Sequence, residues 1–291
     1  MLFACALAWG TGFVAQRLAT QSMGETPLTF NAARFTVGLL IVAPFMMRGG
    51  RLAKRATWIG GLAAGLALVV GSTLQQAAMG RVTAGTAGFI TGTYVIWVPL
   101  LGLIWGQRVS VRVWIAVALA IAGLWLLSAQ GNFVFAPAEL LLITSALVWS
   151  GHVQVIGWAA RRGDPIGIAF VQFVMTAVLC SIGSLAFEPV SIDLLKAGIG
   201  PILFSGVFSI GAAFTLQAIA QSSAPPAHAA IIMSLESVFA EVSGSLWLHE
   251  GFGARKWIGA ALILAGALAA TVTGSRQPPQ ESVPPREREA D

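Results

Sequence analysis

The sequence predicts an all-α integral membrane protein of ten transmembrane helices, arranged as an inverted repeat of two five-helix halves. Three observations predict it. The 291-residue chain is 56% apolar and only 10% charged, against about 25% charge in an average soluble domain, and its mean hydropathy is +0.80. The apolar residues gather into ten runs, each close to the roughly 20 residues that cross a bilayer. The second half of the chain also repeats motifs of the first at a nearly constant offset.

Composition excludes the other classes. So little charge cannot coat a soluble globule of this size, and a disordered chain would need low hydrophobicity with high net charge. The two cysteines, Cys5 and Cys180, sit inside apolar runs, where a cysteine is a small hydrophobe rather than part of a disulfide framework. The net charge of +5 does not point to nucleic acid as a partner. The basic residues lie in short clusters between apolar runs, with no basic face interleaved with aromatics. The expected partners are membrane lipid and a small-molecule substrate; the oligomeric state is open, a monomer included.

The ten runs are roughly 2–20, 29–47, 57–77, 84–105, 113–129, 138–158, 166–187, 198–220, 227–248 and 257–273. Arg48 to Arg55, Gln107 to Arg112 and Arg161 to Pro165 separate runs clearly, and Met79 to Thr83 is a weaker break. Membrane strands are excluded, because the runs are too long and lack a period of two. The first run lacks the basic start of a signal peptide, and nine more runs follow it. The chain begins directly in that run, which leaves a preceding flank open.

Orientation follows from the excess of Lys and Arg in cytoplasmic loops. Loops after even-numbered runs hold Arg48, Arg51, Lys54, Arg55, Arg108, Arg112, Arg161 and Arg162, and the tail adds Arg276, Arg286 and Arg288. The other side holds Arg17, Arg81, Lys196, Arg255 and Lys256. Both termini are therefore expected in the cytoplasm. The tail, 274–291, is rich in Pro, Glu and Arg and is expected to be disordered.

Ala6-Leu7-Ala8-Trp9-Gly10 resembles Ala146-Leu147-Val148-Trp149-Ser150. Pro27 with Arg34-Phe35 resembles Pro165 with Gln172-Phe173, Thr73-Leu74-Gln75 resembles Thr215-Leu216-Gln217, and Arg112 with Trp114-Ile115 resembles Arg255 with Trp257-Ile258. The chain thus divides into repeats at 1–130 and 138–273. Five spans is an odd number, so the second repeat enters the membrane from the opposite side. Inverted repeats of this kind mark secondary transporters, with the substrate site near the midplane between the halves.

The stretch Ser234-Leu235-Glu236-Ser237-Val238-Phe239-Ala240, then Leu248-His249-Glu250 and Trp257-Ile258-Gly259-Ala260-Ala261-Leu262-Ile263-Leu264-Ala265-Gly266, resembles the second repeat of the EamA-type drug/metabolite transporter superfamily. The Trp step in spans 1 and 6 and the Arg-Phe of span 2 resemble it too, so the likeness covers about 1–273. It implies ten helices, an inverted repeat, export of small metabolites and residence in the bacterial inner membrane. Amino-acid exporters belong to this family, including the bacterial exporter of aromatic amino acids. The family pattern reads Leu-Glu-Pro-Val where this chain has Leu235-Glu236-Ser237-Val238. The missing proline removes the usual cause of a helix kink there.

Polar side chains at membrane depth are costly and face the bundle interior, so they are the candidate substrate contacts. Ser72, Gln75, Gln76 and Met79 share one face of span 3, and Gln217 repeats Gln75 in span 8. An amide both donates and accepts, which suits a zwitterionic substrate; it serves equally well as helix–helix bonding. Tyr94, the only tyrosine, stands mid-span with Trp97 three residues on, and its hydroxyl needs a partner. Trp9 and Trp149 occupy equivalent positions and either pack the core or line the cavity. His152 follows Trp149 on the same face, as a proton carrier, substrate donor or structural residue.

Glu236 and Glu241 are the mid-span carboxylates, five residues apart and so about 140° apart around a helix. Ser234, Ser237, Glu241 and Ser245 form a polar stripe that favours Glu241 facing water or substrate. Glu236 is a coupling or structural carboxylate. Arg34 either holds a substrate carboxylate or pairs within the protein. No metal site is expected, since the three histidines are far apart and lack ligand spacing. No cofactor is expected, and no enzyme motif such as a P-loop or a Gly-x-Ser-x-Gly elbow is present. The expected activity is export of amino acids or related metabolites by alternating access, as facilitated transport or exchange. Proton-coupled efflux and a channel-like protein without alternating access are the competing readings.

Overall fold

The computed structural model describes residues 1–47, 49–128, 136–251 and 253–274. Arg48, the 129–135 connection and the predicted tail from Ser275 onward lie outside the described residues. Every regular element among the described residues is helical. This is what backbone groups at membrane depth require, because a helix satisfies its N–H and C=O groups internally.

The elements are α1 (Leu2–Met23), α2 (Pro27–Val42) with a 3₁₀ turn at Ala43–Met47, α3 (Arg55–Ala78), α4 (Ala84–Gly92), α5 (Tyr94–Ile104), α6 (Val111–Ser128) and α7 (Pro137–Ala160). There follow α8 (Pro165–Phe187), the short α9 (Ile192–Ala197), α10 (Ile199–Phe204), a π-helical segment at Ser205–Phe214, α11 (Thr215–Gln221), α12 (Pro226–Met233), α13 (Glu236–Leu248) and α14 (Ala254–Gly274). Among the described residues, eight helical stretches are long and apolar enough to cross a membrane: Leu2–Met23, Pro27–Met47, Arg55–Ala78, Ala84–Ile104, Pro137–Ala160, Pro165–Phe187, Ile199–Gln221 and Pro226–Leu248. The helices α6 and α14, also apolar, pack against each other.

Local chemistry sets the helix starts. Proline opens α2, α7, α8 and α12, at a position where its missing N–H costs nothing. The Asp164 carboxylate accepts from Gly167 N at 2.7 Å, and Thr83 Oγ1 accepts from Thr86 N at 3.0 Å. Two caps come from the other half of the chain. Glu188 accepts from Leu28 N and Thr29 N at 2.8 and 2.7 Å, and Glu250 accepts from Ala84 N and Gly85 N at 3.1 and 3.3 Å.

Besides Pro27–Met47, which ends in its 3₁₀ turn, three of the apolar stretches are not regular helices, and all three carry residues that line the cavity described below. Thr93 separates α4 from α5, and its Oγ1 donates to Ile90 O at 2.6 Å. Ser234 and Leu235 separate α12 from α13, and Ser234 Oγ donates to Ile231 O at 2.7 Å. A hydroxyl that takes a carbonyl of the preceding turn competes with the helix ladder and bends it. The break before Glu236 therefore forms without the proline of the family pattern. The third irregularity is the π-helical segment Ser205–Phe214.

The two halves interlock. α7 packs on α3 as α1 packs on the Ile199–Gln221 stretch, and α1 packs on α13 as α7 packs on α4 and α5. α2 meets α8, α4 meets α13, and α3 lies on α8 as α2 lies on the π segment. Gly61 and Gly65 serve such a contact, facing Val171 and Met175 of α8.

Candidate functional site

Where the broken helices, the π segment and α1, α2, α3 and α7 converge, they line a cavity. Twelve of its lining residues fall in six pairs at the sequence offset of the repeat. Trp9 and Phe13 of α1 correspond to Trp149 and Val153 of α7, 140 residues later. Ser72 and Gln75 of α3 correspond to Phe214 and Gln217, and Thr91 and Tyr94 correspond to Met233 and Glu236, all 142 residues later. Gln16, Arg34, Phe35, His152, Ser209 and Ile210 complete the wall.

One side is aromatic. The Phe214 ring stacks on Trp149 at 5.8 Å and lies 4.8 Å from Trp9, with His152 edge-on to Trp149 and Phe214 at 5.7 and 5.5 Å. The π segment supplies both Phe214 and the Ser209 carbonyl that accepts from Trp9 Nε1 at 2.9 Å. Hydrogen bonds hold much of the polar lining in place. Trp149 Nε1 donates to Gln75 Oε1 at 3.0 Å, and Gln75 Nε2 donates to Gln16 Oε1 at 2.9 Å. His152 Nε2 is 3.0 Å from Gln172 Oε1. Gln217 Nε2 donates to Gln221 Oε1 at 3.0 Å, but Gln217 Oε1 has no partner.

The charged lining consists of Arg34 and Glu236, both 3% exposed. Arg34 Nε donates to Asn31 Oδ1 at 2.9 Å, and its guanidinium lies over the Phe30 and Phe35 rings at 4.9 and 5.6 Å. Glu236 is the first residue of α13 and Tyr94 the first of α5. Their side chains neighbour one another, yet neither Tyr94 Oη nor Glu236 Oε1 has a hydrogen bond of ordinary geometry.

The structure brings Gln75, Tyr94, Trp149, His152, Gln217 and Glu236 together at this cavity. Three other predicted residues lie elsewhere. Trp97 is 37% exposed on the outer surface; α5 restarts at Tyr94, and three residues of helix carry Trp97 past the cavity edge. Ser237 Oγ donates to Gly88 O at 2.7 Å, joining α13 to α4. Glu241 is buried in an ion pair with Lys256 of α14, so the predicted polar stripe packs inside the protein rather than facing substrate. Gln76 also serves packing, donating to Gln16 O and Thr20 Oγ1 at 3.0 Å. Sequence reasoning missed Phe13, Gln16, Phe35, Thr91, Val153, Ser209, Ile210, Phe214 and Met233, and left Trp9, Ser72 and Arg34 unassigned. The repeat offset carries a signal for part of this set, since it makes Thr91 and Phe214 the partners of Met233 and Ser72. Trp97→Leu is expected to leave transport kinetics within about twofold of wild type in reconstituted vesicles, whereas substitutions on the cavity wall change them.

Membrane-length helices around a cavity lined by polar and aromatic side chains define a multi-span membrane protein of transporter type. The chain belongs to the EamA-like transporter family, whose model matches residues 1–129 and 136–272, within the drug/metabolite transporter superfamily. An uncharacterized transporter of Archaeoglobus fulgidus is 30% identical over 268 residues, covering 90% of this chain and 82% of that protein. The uncharacterized transporter YwfM of Bacillus subtilis is 28% identical over 95% of this chain and 94% of its own. The threonine/homoserine exporter RhtA of Salmonella typhimurium is 25% identical over 62% of this chain and 61% of its own. A solved crystal structure shares the fold, with a TM-score of 0.66 and 23% identity over 94% of this chain and 98% of that one.

Proposed function

We propose that this protein is a secondary transporter of the bacterial inner membrane that exports amino acids or related small metabolites by alternating access. In this reading ten membrane helices form two five-helix halves, 1–130 and 138–273, of inverted orientation, and the segment 274–291 is a cytoplasmic tail. The observation that carries the reading is the cavity, two thirds of whose wall residues fall in pairs at the repeat offset between the halves. A site on a pseudo-two-fold axis presents similar walls to both sides of the membrane, so two states of similar energy exchange by rocking one half against the other. The helix breaks at Thr93 and at Ser234–Leu235 support it, since transporter sites are typically built from discontinuous helices. Movement is down the substrate gradient, as facilitated transport or exchange. The name of RhtA supports amino-acid export.

A panel of labelled solutes tests the function. Purified protein in proteoliposomes should give saturable uptake of one or more amino acids above empty vesicles; no saturable uptake of any amino acid would reject the substrate class. Orientation has a separate test. Cys5 and Cys180 are buried, so introduced cysteines report alone. Ser110→Cys is expected to resist an impermeant thiol reagent on intact cells, and Ser191→Cys to react. The reverse pattern would invert the topology.

A further inference from the structure

We infer that the cavity recognises its substrate as a zwitterion, with Arg34 receiving the carboxylate and the Glu236–Tyr94 corner receiving the ammonium. This rests on the transporter reading above and deepens it to a substrate class: α-amino acids with an uncharged, predominantly apolar side chain.

The argument starts from what each charge lacks. A buried charge is retained where it is paired or functional, because leaving it unpaired in low dielectric is costly. Among the described residues no carboxylate lies within ion-pair distance of Arg34, and no cation lies within that distance of Glu236. Arg34 is met by a neutral amide and two ring faces, which leaves guanidinium N–H groups for a carboxylate fork. The Glu236 side of the wall lacks a cation. Glu236 Oε1 has no hydrogen bond of ordinary geometry although the Tyr94 hydroxyl neighbours it, and Gln217 Oε1 is another buried acceptor on the cavity wall without a partner. An ammonium brings three N–H donors and one positive charge, which matches that deficit. The two charges sit on different helices, α2 and α13, and line one cavity without pairing to each other. A ligand that carries both opposite charges satisfies both at once, whereas a simple anion or cation satisfies one and leaves the other buried. The same wall carries Trp9, Phe35, Trp149 and Phe214, which offer apolar surface and no third charge to a side chain.

The test measures equilibrium binding to purified wild-type protein, with L-phenylalanine and L-threonine as probes. Each is compared with its carboxamide, which lacks the anionic pole, and its N-acetyl derivative, which lacks the cationic pole. The inference expects at least one parent to bind and both blocked forms to bind at least tenfold more weakly. Blocked forms within threefold of the parent would overturn it. Variants then assign the poles. Arg34→Gln should lose the discrimination against the amide and keep that against the N-acetyl form, and Glu236→Gln should do the reverse. A uniform loss for every ligand in both variants would overturn the assignment. The wild-type series stands even if a variant fails to fold. Discrimination in binding with no transport in vesicles would sink the transporter reading and leave the zwitterion site standing. Transport of a parent without discrimination would do the opposite, and absence of both binding and transport for both amino acids would sink both.

Discussion

Gly10→Ala is expected to destabilise the protein by about 1–3 kcal/mol, the usual cost of overpacking, and to impair transport; Gly10→Val is expected to give no folded protein. A Cβ at Gly10 would lie 2.3 Å from Phe239 Cβ, 2.6 Å from Glu236 O and 3.0 Å from Ala240 N. Two of these are backbone atoms of α13, which no side-chain rotation can move. Relief requires α1 and α13 to separate, and the first turn of α13 is the turn that aims Glu236 at the cavity. Gly151, whose Cβ would meet nothing within 4 Å, is the control: Gly151→Ala should unfold at the wild-type temperature. Thermal unfolding of the purified variants in detergent decides. An unperturbed Gly10→Val would contradict the close contact of α1 and α13.

The second large effect is expected at Glu250. Its carboxylate caps the N-terminus of α4 through Ala84 N and Gly85 N and lies 3.7 Å from Arg17 Nε. Arg17 in turn donates to Met79 O, at 3.1 Å, and to Val82 O. One carboxylate therefore ties together α1, the turn after α3, α4 and the end of α13. Between α7 and the α5 segment the contact is made by neutral amides instead. Gln107 Nε2 donates to Gln154 Oε1 at 2.7 Å, and Gln154 Nε2 donates to Val98 O at 2.7 Å. Glu250→Ala removes a cap and an ion-pair partner together, and leaving partly buried donors unsatisfied costs about 1–3 kcal/mol. Such a cost shifts a two-state balance by roughly 5–150-fold, so turnover in vesicles should fall about fivefold or more. Glu250 is not on the cavity wall, so substrate affinity should stay within about threefold. Equal losses in affinity and turnover would show that Glu250 acts on the cavity instead.

Much of the fold was legible because its cause is composition and length. Runs of about 20 apolar residues become helices of that length, and the helical stretches fall within a few residues of the expected runs. The cavity was legible where the repeat pattern pointed: Trp9 and Trp149 line the same cavity, as do Gln75 and Gln217. Glu236 reached the cavity through a break that its family motif assigns to proline and that this chain makes with the Ser234 hydroxyl. What could not be read depends on contacts distant in sequence. Glu241 looked like a candidate because its stripe is polar, but Lys256 on another helix neutralises it. Trp97 looked like a partner of Tyr94 until the restart of the helix set its facing. The π segment that brings Ser209, Ile210 and Phe214 to the wall has no marker in a single sequence.

Alternating access at the shared cavity is tested most directly by counterflow. Proteoliposomes are loaded with excess unlabelled amino acid, diluted into a trace of the labelled form, and followed over time. A carrier that exposes one site to each side in turn gives a transient accumulation of label above the outside concentration, which decays as the gradient dissipates. Carbonyl-cyanide uncouplers should not remove that overshoot, because the unlabelled gradient alone drives it. Label that only rises to equilibrium, at a rate independent of internal substrate, would contradict alternating access and establish a channel-like path.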